Sequence, residues 1–151
     1  MKGSPPVPNT ERQKLIDQLI RHEGLRLSAY QDHLGYWTIG VGRLIDERRG
    51  GRITEEEARY LLSNDIARFE KELDERLPWW RKLNEVRQRV LCDMAFNLGV
   101  DGLLQFKNTL KLIEESKYEE ASKAMLESKW ASQVGKRAAT LSNMMRDGVD
   151  T

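Results

Sequence analysis

The apolar residues of this chain change period twice, and that change limits the fold more than any other feature of its 151 residues. Leu15, Ile16, Leu19 and Ile20 recur at the 3.6-residue spacing of one helix face. From Leu25 the spacing drops to two, as Leu25, Leu27 and Ala29 alternate with Arg26, Ser28 and Tyr30. Asp32-His33-Leu34-Gly35 makes a turn, and residues 36–41 are β-branched and aromatic enough to return as a strand. A third short strand is expected at 43–46. After Arg48-Arg49-Gly50-Gly51 the helical spacing resumes with Ala58, Leu61, Leu62, Ile66, Phe69 and Leu73. The chain beyond Trp79-Trp80 reads as helical throughout. The fold class is therefore α+β, mainly helical: one small β-hairpin unit followed by a helical bundle.

Local signals set the boundaries. Thr10 with Gln13, Thr54 with Glu57, and Ser116 with Glu119 each have the spacing of a capping box, in which two side chains satisfy the first free N–H groups of a helix. Gly24 stops the first helix, and Pro78 bounds the second. Gly99 ends a stripe formed by Leu83, Val86, Val90, Leu91, Met94 and Leu98. Shorter helices are expected over 107–115, 118–127 and 135–145. The resulting division is a flexible proline-rich tail over 1–10, an N-terminal lobe with the hairpin over 11–53, a connecting helix over 54–77 and a C-terminal helical lobe over 78–151.

Charge does little to name a partner. The 25 basic and 24 acidic residues leave a net charge of +1, so no global field draws the chain to nucleic acid. A lone cysteine, Cys92, makes no internal disulfide and suits a reducing compartment; its place between Leu91 and Met94 reads as a buried, inert thiol. His22 and His33 lack metal-ligand spacing, so neither a metal nor a cofactor is expected. The N-terminus lacks the apolar segment of a secretory signal, and no stretch approaches the ~20 apolar residues of a membrane span. Synthesis in the cytoplasm without stable membrane insertion is expected.

Chemistry concentrates at Glu23. Its spacing from Leu15, Leu19 and Ile20 puts a carboxyl group on the apolar face of its own helix. Partial burial disfavours the ionised form of a carboxyl group, which is how a glutamic acid can hold a proton and donate it. Asp32 opens the hairpin turn, and alternation aims Thr38 away from Trp37, Ile39 and Val41. An acid, a second carboxylate and a hydroxyl around one water are the set that glycoside hydrolysis needs. Each residue also has a bland reading: a frayed helix end for Glu23, turn chemistry for Asp32 and strand propensity for Thr38.

Taken together, Glu23-Gly-Leu-Arg-Leu-Ser-Ala-Tyr-Gln-Asp32 and Gly35-Tyr36-Trp37-Thr38-Ile39-Gly40-Val41-Gly42 resemble the phage lysozyme (endolysin) family of the T-even bacteriophage type, glycoside hydrolase family 24. The resemblance continues through Ile53-Thr54, Ala95-Phe96-Asn97-Leu98-Gly99, Phe106-Lys107-Asn108-Thr109-Leu110, Ser128-Lys129-Trp130 and Arg137. It implies a two-lobed, lysozyme-like fold and an inverting muramidase that cuts the β-1,4 bond between N-acetylmuramic acid and N-acetylglucosamine in peptidoglycan. Glu23 matches the general acid, Asp32 the second carboxylate and Thr38 the hydroxyl that helps hold the attacking water. Leu44, Phe96 and Thr109 match positions that line the sugar site, and Arg137 matches an arginine that pairs with the acid. A monomer is implied, made in the host bacterial cytoplasm and released by a holin to the periplasmic wall.

Some positions depart from the T-even pattern. Arg43 stands where a histidine would pair with the aspartate equivalent to Asp65, so an Arg43–Asp65 ion pair is expected, with a charge that neutral pH does not remove. The segment 46–52 is shorter, Asn97 replaces a glutamine, and Ala124 replaces an asparagine that contacts saccharide. Two other activities fit parts of the pattern. A lytic transglycosylase would cut the same bond without water and without needing Asp32 and Thr38 as a pair. A wall-binding or membrane-perturbing protein would act through its last basic helix, with Lys136, Arg137 and Arg146. Trp79-Trp80 reads as an interior contact more readily than as a sugar-stacking pair. Lys129, Lys136, Arg137 and Arg146 read as a solvated face or as an attractor of acidic peptide stems.

Overall fold

A computed structural model describes residues 10–24, 26–31, 37–40, 43–44 and 53–151, with the side chains of residue 10 and of the strands excepted. The chain divides into two compact units, residues 1–67 and 68–151.

In the first unit, helix α1 (Thr10–Glu23) is followed by strands β1 (Arg26–Gln31), β2 (Trp37–Gly40) and β3 (Arg43–Leu44). The strands form an antiparallel sheet in the order β1-β2-β3. Register pairs Tyr30 with Thr38 and Thr38 with Leu44, and it shifts once between Arg26 and Tyr30. Helix α1 buries Leu15, Ile16 and Leu19 as its period requires, and Gln18 is buried beside them. Its start differs from the expected cap. Thr10 is already helical, and Gln13 donates its amide to Asp17 at 3.0 Å, one turn further along. Arg12 reaches Ser63 Oγ at 3.1 Å and Arg59 reaches Asp17 at 3.2 Å, so two polar ties join α1 to α2 (Glu55–Arg76).

Both arms of the Thr54 capping box are formed. Glu57 N–H donates to Thr54 Oγ1 at 3.0 Å, and Thr54 N–H donates to Glu57 Oε1 at 2.9 Å. From that start α2 runs 22 residues and crosses from the first unit into the second. Ala58, Leu62, Ile66 and Leu73 are buried along it, as is Asp65.

The second unit is helical. A 3₁₀ turn (Trp80–Lys82) follows α2, and Trp80 is fully buried, so this tryptophan belongs to the interior. Its indole N–H donates to Asp74 at 2.7 Å while Arg81 lies over the ring. Helix α3 (Glu85–Leu104) supplies the largest share of the core through Val90, Leu91, Met94, Ala95 and Leu103. Cys92 is buried within it. Gly99, at φ 76°, interrupts α3 where the stripe was expected to end, but helix resumes beyond it as far as Leu104.

After α3 come α4 (Lys107–Glu114), α5 (Tyr118–Leu126), α6 (Lys129–Val134) and α7 (Lys136–Asp147). Helix α6 has no counterpart in the expected helices: its six residues are too few to display a period, although Ser128 caps it through Ala131 N–H. The Ser116 capping box does not form. Ser116 lies at φ 63° and closes α4 instead, with its N–H on Ile113 O and the Lys117 N–H on Leu112 O at 2.8 Å, so Lys117 precedes α5 without a side-chain cap. Helix α7 packs on α5 and α3 and buries Ala138, Leu141, Met144 and Met145. A buried hydrogen bond joins Ser122 of α5 to Ser142 of α7.

Candidate active site

Glu23 is the last residue of α1 and is half-buried. The next residue, Gly24, takes φ +83° and returns its N–H to Ile20 O at 2.9 Å, so the helix ends sharply beneath the carboxylate. Glycine is needed there because a Cβ resists left-handed backbone. Leu19 and Leu15, one and two turns before Glu23, are buried, which puts Glu23 at the end of the apolar row. The spacing argument for Glu23 therefore has its structural basis inside a single helix.

Asp32 lies outside the described residues, as does His33. Thr38 and Leu44 are described at the backbone level, as register partners on β2 and β3. Arg43 is placed on β3 in the same way. Its expected partner, Asp65, is 4% exposed on α2.

The second unit holds the remaining expected residues. Phe96 is half-buried on α3 with its ring 5.5 Å from that of Phe69. Thr109 is 5% exposed in the first turn of α4. Arg137 opens α7, and its guanidinium is gripped by a residue that the sequence reading passed over. Arg137 Nε donates to Asp93 Oδ1 at 2.8 Å, Nη2 lies 2.7 Å from the same oxygen, and Nη2 also reaches the Asp93 carbonyl at 3.4 Å. The Asp93 side chain is 0% exposed and that of Arg137 10%. Asp93 had a detectable signal, because it is an acid between Leu91-Cys92 and Met94-Ala95, the same anomaly that marks Glu23.

One turn further along α3, Asn97 accepts the indole N–H of Trp130 at 2.8 Å, and Phe106 meets that indole edge-on at 5.9 Å. Asn97, noted from sequence for what it replaces, thus acts as an anchor for α6. Of the four basic residues read as a patch, Arg137 is paired with Asp93 and Arg146 with Asp147, while Lys129 and Lys136 are exposed. Among the described residues, no group of acids, histidines and cysteines has the arrangement of a metal site.

The phage lysozyme family model matches residues 20–146, a span that starts within α1 just before Glu23 and ends in the last turn of α7. The chain belongs to the phage lysozyme family. Relatives agree at modest identity. The chain is 30% identical to a probable T4-type lysozyme 1 of Dictyostelium discoideum, over 87% of this chain and 93% of that protein. It is 32% identical to an endolysin of Acyrthosiphon pisum secondary endosymbiont phage 1, over 78% of each. It is also 30% identical to the pre-baseplate central spike protein Gp5 of Enterobacteria phage T4, over 95% of this chain but 29% of that protein's length. The matching segment thus makes up nearly all of one relative and under a third of another. Membership makes the chain a lysozyme-type glycosidase, a hydrolase of peptidoglycan.

Proposed function

We propose that the chain hydrolyses the β-1,4 bond between N-acetylmuramic acid and N-acetylglucosamine with inversion at the anomeric carbon. Glu23 protonates the leaving glycosidic oxygen. Asp32 and Thr38 hold a water that attacks the anomeric carbon from the opposite face, and Asp32 accepts its proton. Leu44, Phe96 and Thr109 contact the sugars, and Arg137 supports the acid. In this reading residues 11–53 are the N-terminal catalytic lobe, 54–77 the connecting helix and 78–151 the C-terminal helical lobe. A phage or prophage uses the activity for host lysis, the monomeric enzyme being made in the cytoplasm and released to the wall by a holin.

The observation that carries the reading is Glu23 itself, a half-buried glutamate at the end of a row of buried leucines, inside the span that the family model matches. Inversion requires the two carboxyl groups to stand roughly 6.5–9.5 Å apart, leaving room for the water.

The test is Glu23→Gln, which keeps the shape of the side chain and removes its proton. The folded variant is expected to lose at least about 100-fold in peptidoglycan clearance. Clearance at the wild-type rate removes Glu23 from the acid role. The first-turnover product of the wild type decides the reaction. A product heavier by one water, with inverted configuration, supports hydrolysis as proposed; an anhydro product without added water replaces it with transglycosylation.

A further inference from the structure

Asp93 is a fully buried carboxylate on a helix whose other buried residues, Arg89 apart, are apolar, and it grips the guanidinium of Arg137. Burial of such a pair is a poor route to stability, because desolvating two charges cancels most of their attraction and an apolar pair of similar volume would serve as well. What the pair does supply is geometry. A guanidinium is a rigid planar fork on a long, rotamer-rich stem. Asp93 takes the Nε and Nη2 edge of that fork, through both its carboxylate and its own carbonyl, so the plane and direction of the Arg137 head group are set before any substrate arrives. The backbone beneath is held too. Asn97, one turn along the same face of α3, fixes Trp130 of α6, and Gly135 joins α6 to α7 at φ +55°. The start of α7 is thereby anchored on both sides of its connecting turn.

We propose that Asp93 is a positioning residue for catalysis: it pre-orients the Arg137 guanidinium, so that turnover does not wait on a search of its rotamers. This rests on the reading of Arg137 given above. Side chains that hold a catalytic group within a fraction of an ångström act on turnover, since small misplacements cost rate far more than binding.

The test is a double-mutant cycle on purified full-length chain, with kcat and KM measured on solubilised peptidoglycan strands and folding checked by thermal melts. Asp93→Asn keeps the shape and removes the charge, while Arg137→Lys keeps the charge and gives up the fork. Each single change is expected to lower kcat about 10- to 100-fold with KM within about twofold. In the Arg137→Lys background, Asp93→Asn is expected to lower kcat no further.

An Asp93→Asn loss that persists undiminished beside Arg137→Lys, or that falls on stability with kcat unchanged, overturns the positioning role. Should Asp93→Asn fail to fold, Arg137→Lys decides alone, because full turnover there shows that the oriented fork is not needed. Failure of the wider reading looks different: Arg137→Ala would then retain wild-type kcat, whatever Asp93 does.

Discussion

Asp74 shows how a surface carboxylate can acquire a measurable role. It accepts the Arg81 Nε–H at 2.9 Å and the Trp80 indole N–H at 2.7 Å. The Arg81 hydrogen bond is the largest influence, and with Trp80 it outweighs desolvation and holds the carboxyl below its ordinary value. A carboxylate depressed in the folded state stabilises the fold above its unfolded value, and that contribution disappears as pH falls through the folded value. Asp74→Asn is therefore expected to lower stability near neutral pH. The gap to wild type should close below about pH 4, where the wild-type carboxylate also takes up its proton. Because the Asp74 side chain is 47% exposed, screening keeps the gap under about 1 kcal/mol. Urea midpoints measured from pH 7 down to pH 3 check it, and a gap that widens toward acid refutes it. Glu23 and Asp93 share a legible signal, an acid set among apolar helix positions. What periodicity does not reveal is the partner, since Asp93 and Arg137 are 44 residues apart in the chain.

At the scale of elements, caps were legible where both members of the cap were local and nothing else claimed them. Thr54 and Glu57 satisfy each other's N–H groups as their spacing suggests. Ser116 and Glu119 have the same spacing, yet Ser116 is already committed to ending α4 in left-handed backbone. That conformation costs a residue with a Cβ about 1–2 kcal/mol, and glycine escapes it at some cost in unfolded-chain entropy. Ser116→Gly is thus expected to stabilise the protein by about 0.5–1 kcal/mol, read as a higher urea midpoint with an unchanged slope. A lower midpoint would mean that the weak 3.4 Å contact from Tyr118 Oη to Ser116 Oγ matters more than the backbone. Helix α6 escapes a reading of periodicity for a related reason: it spans less than two turns, and Ser128 before it and Asn97 of α3 hold it from outside.

Across the whole molecule, the second unit is closed by polar ties between the start of α3 and the end of α7. Arg87 donates to the carbonyls of Met145 and Arg146, Asn84 donates to the carbonyl of Gly148, and Arg89 pairs with Asp150. Together with the buried Leu141, Met144 and Met145, these ties spend the apolar face of α7 on the interior. A membrane-perturbing role for that helix would need the same face. No helix among the described residues is long and apolar enough to cross a bilayer. The folded Glu23→Gln protein is accordingly expected to leave anionic vesicles intact and to lyse no cells. Dye release by that variant would transfer the activity from the acid to the helix.

Periodicity, caps and a few unusual acids determined the helical character of this chain, the place of Glu23 at a helix end and its kinship with phage lysozymes, because each of these is written in residues close together along the chain. Tertiary structure alone decided that Asp93 meets Arg137, that Asn97 holds Trp130 and that α7 turns inward. Those outcomes depend on which surfaces meet after the chain has folded back on itself, and contacts between residues far apart in sequence leave no period from which to read them.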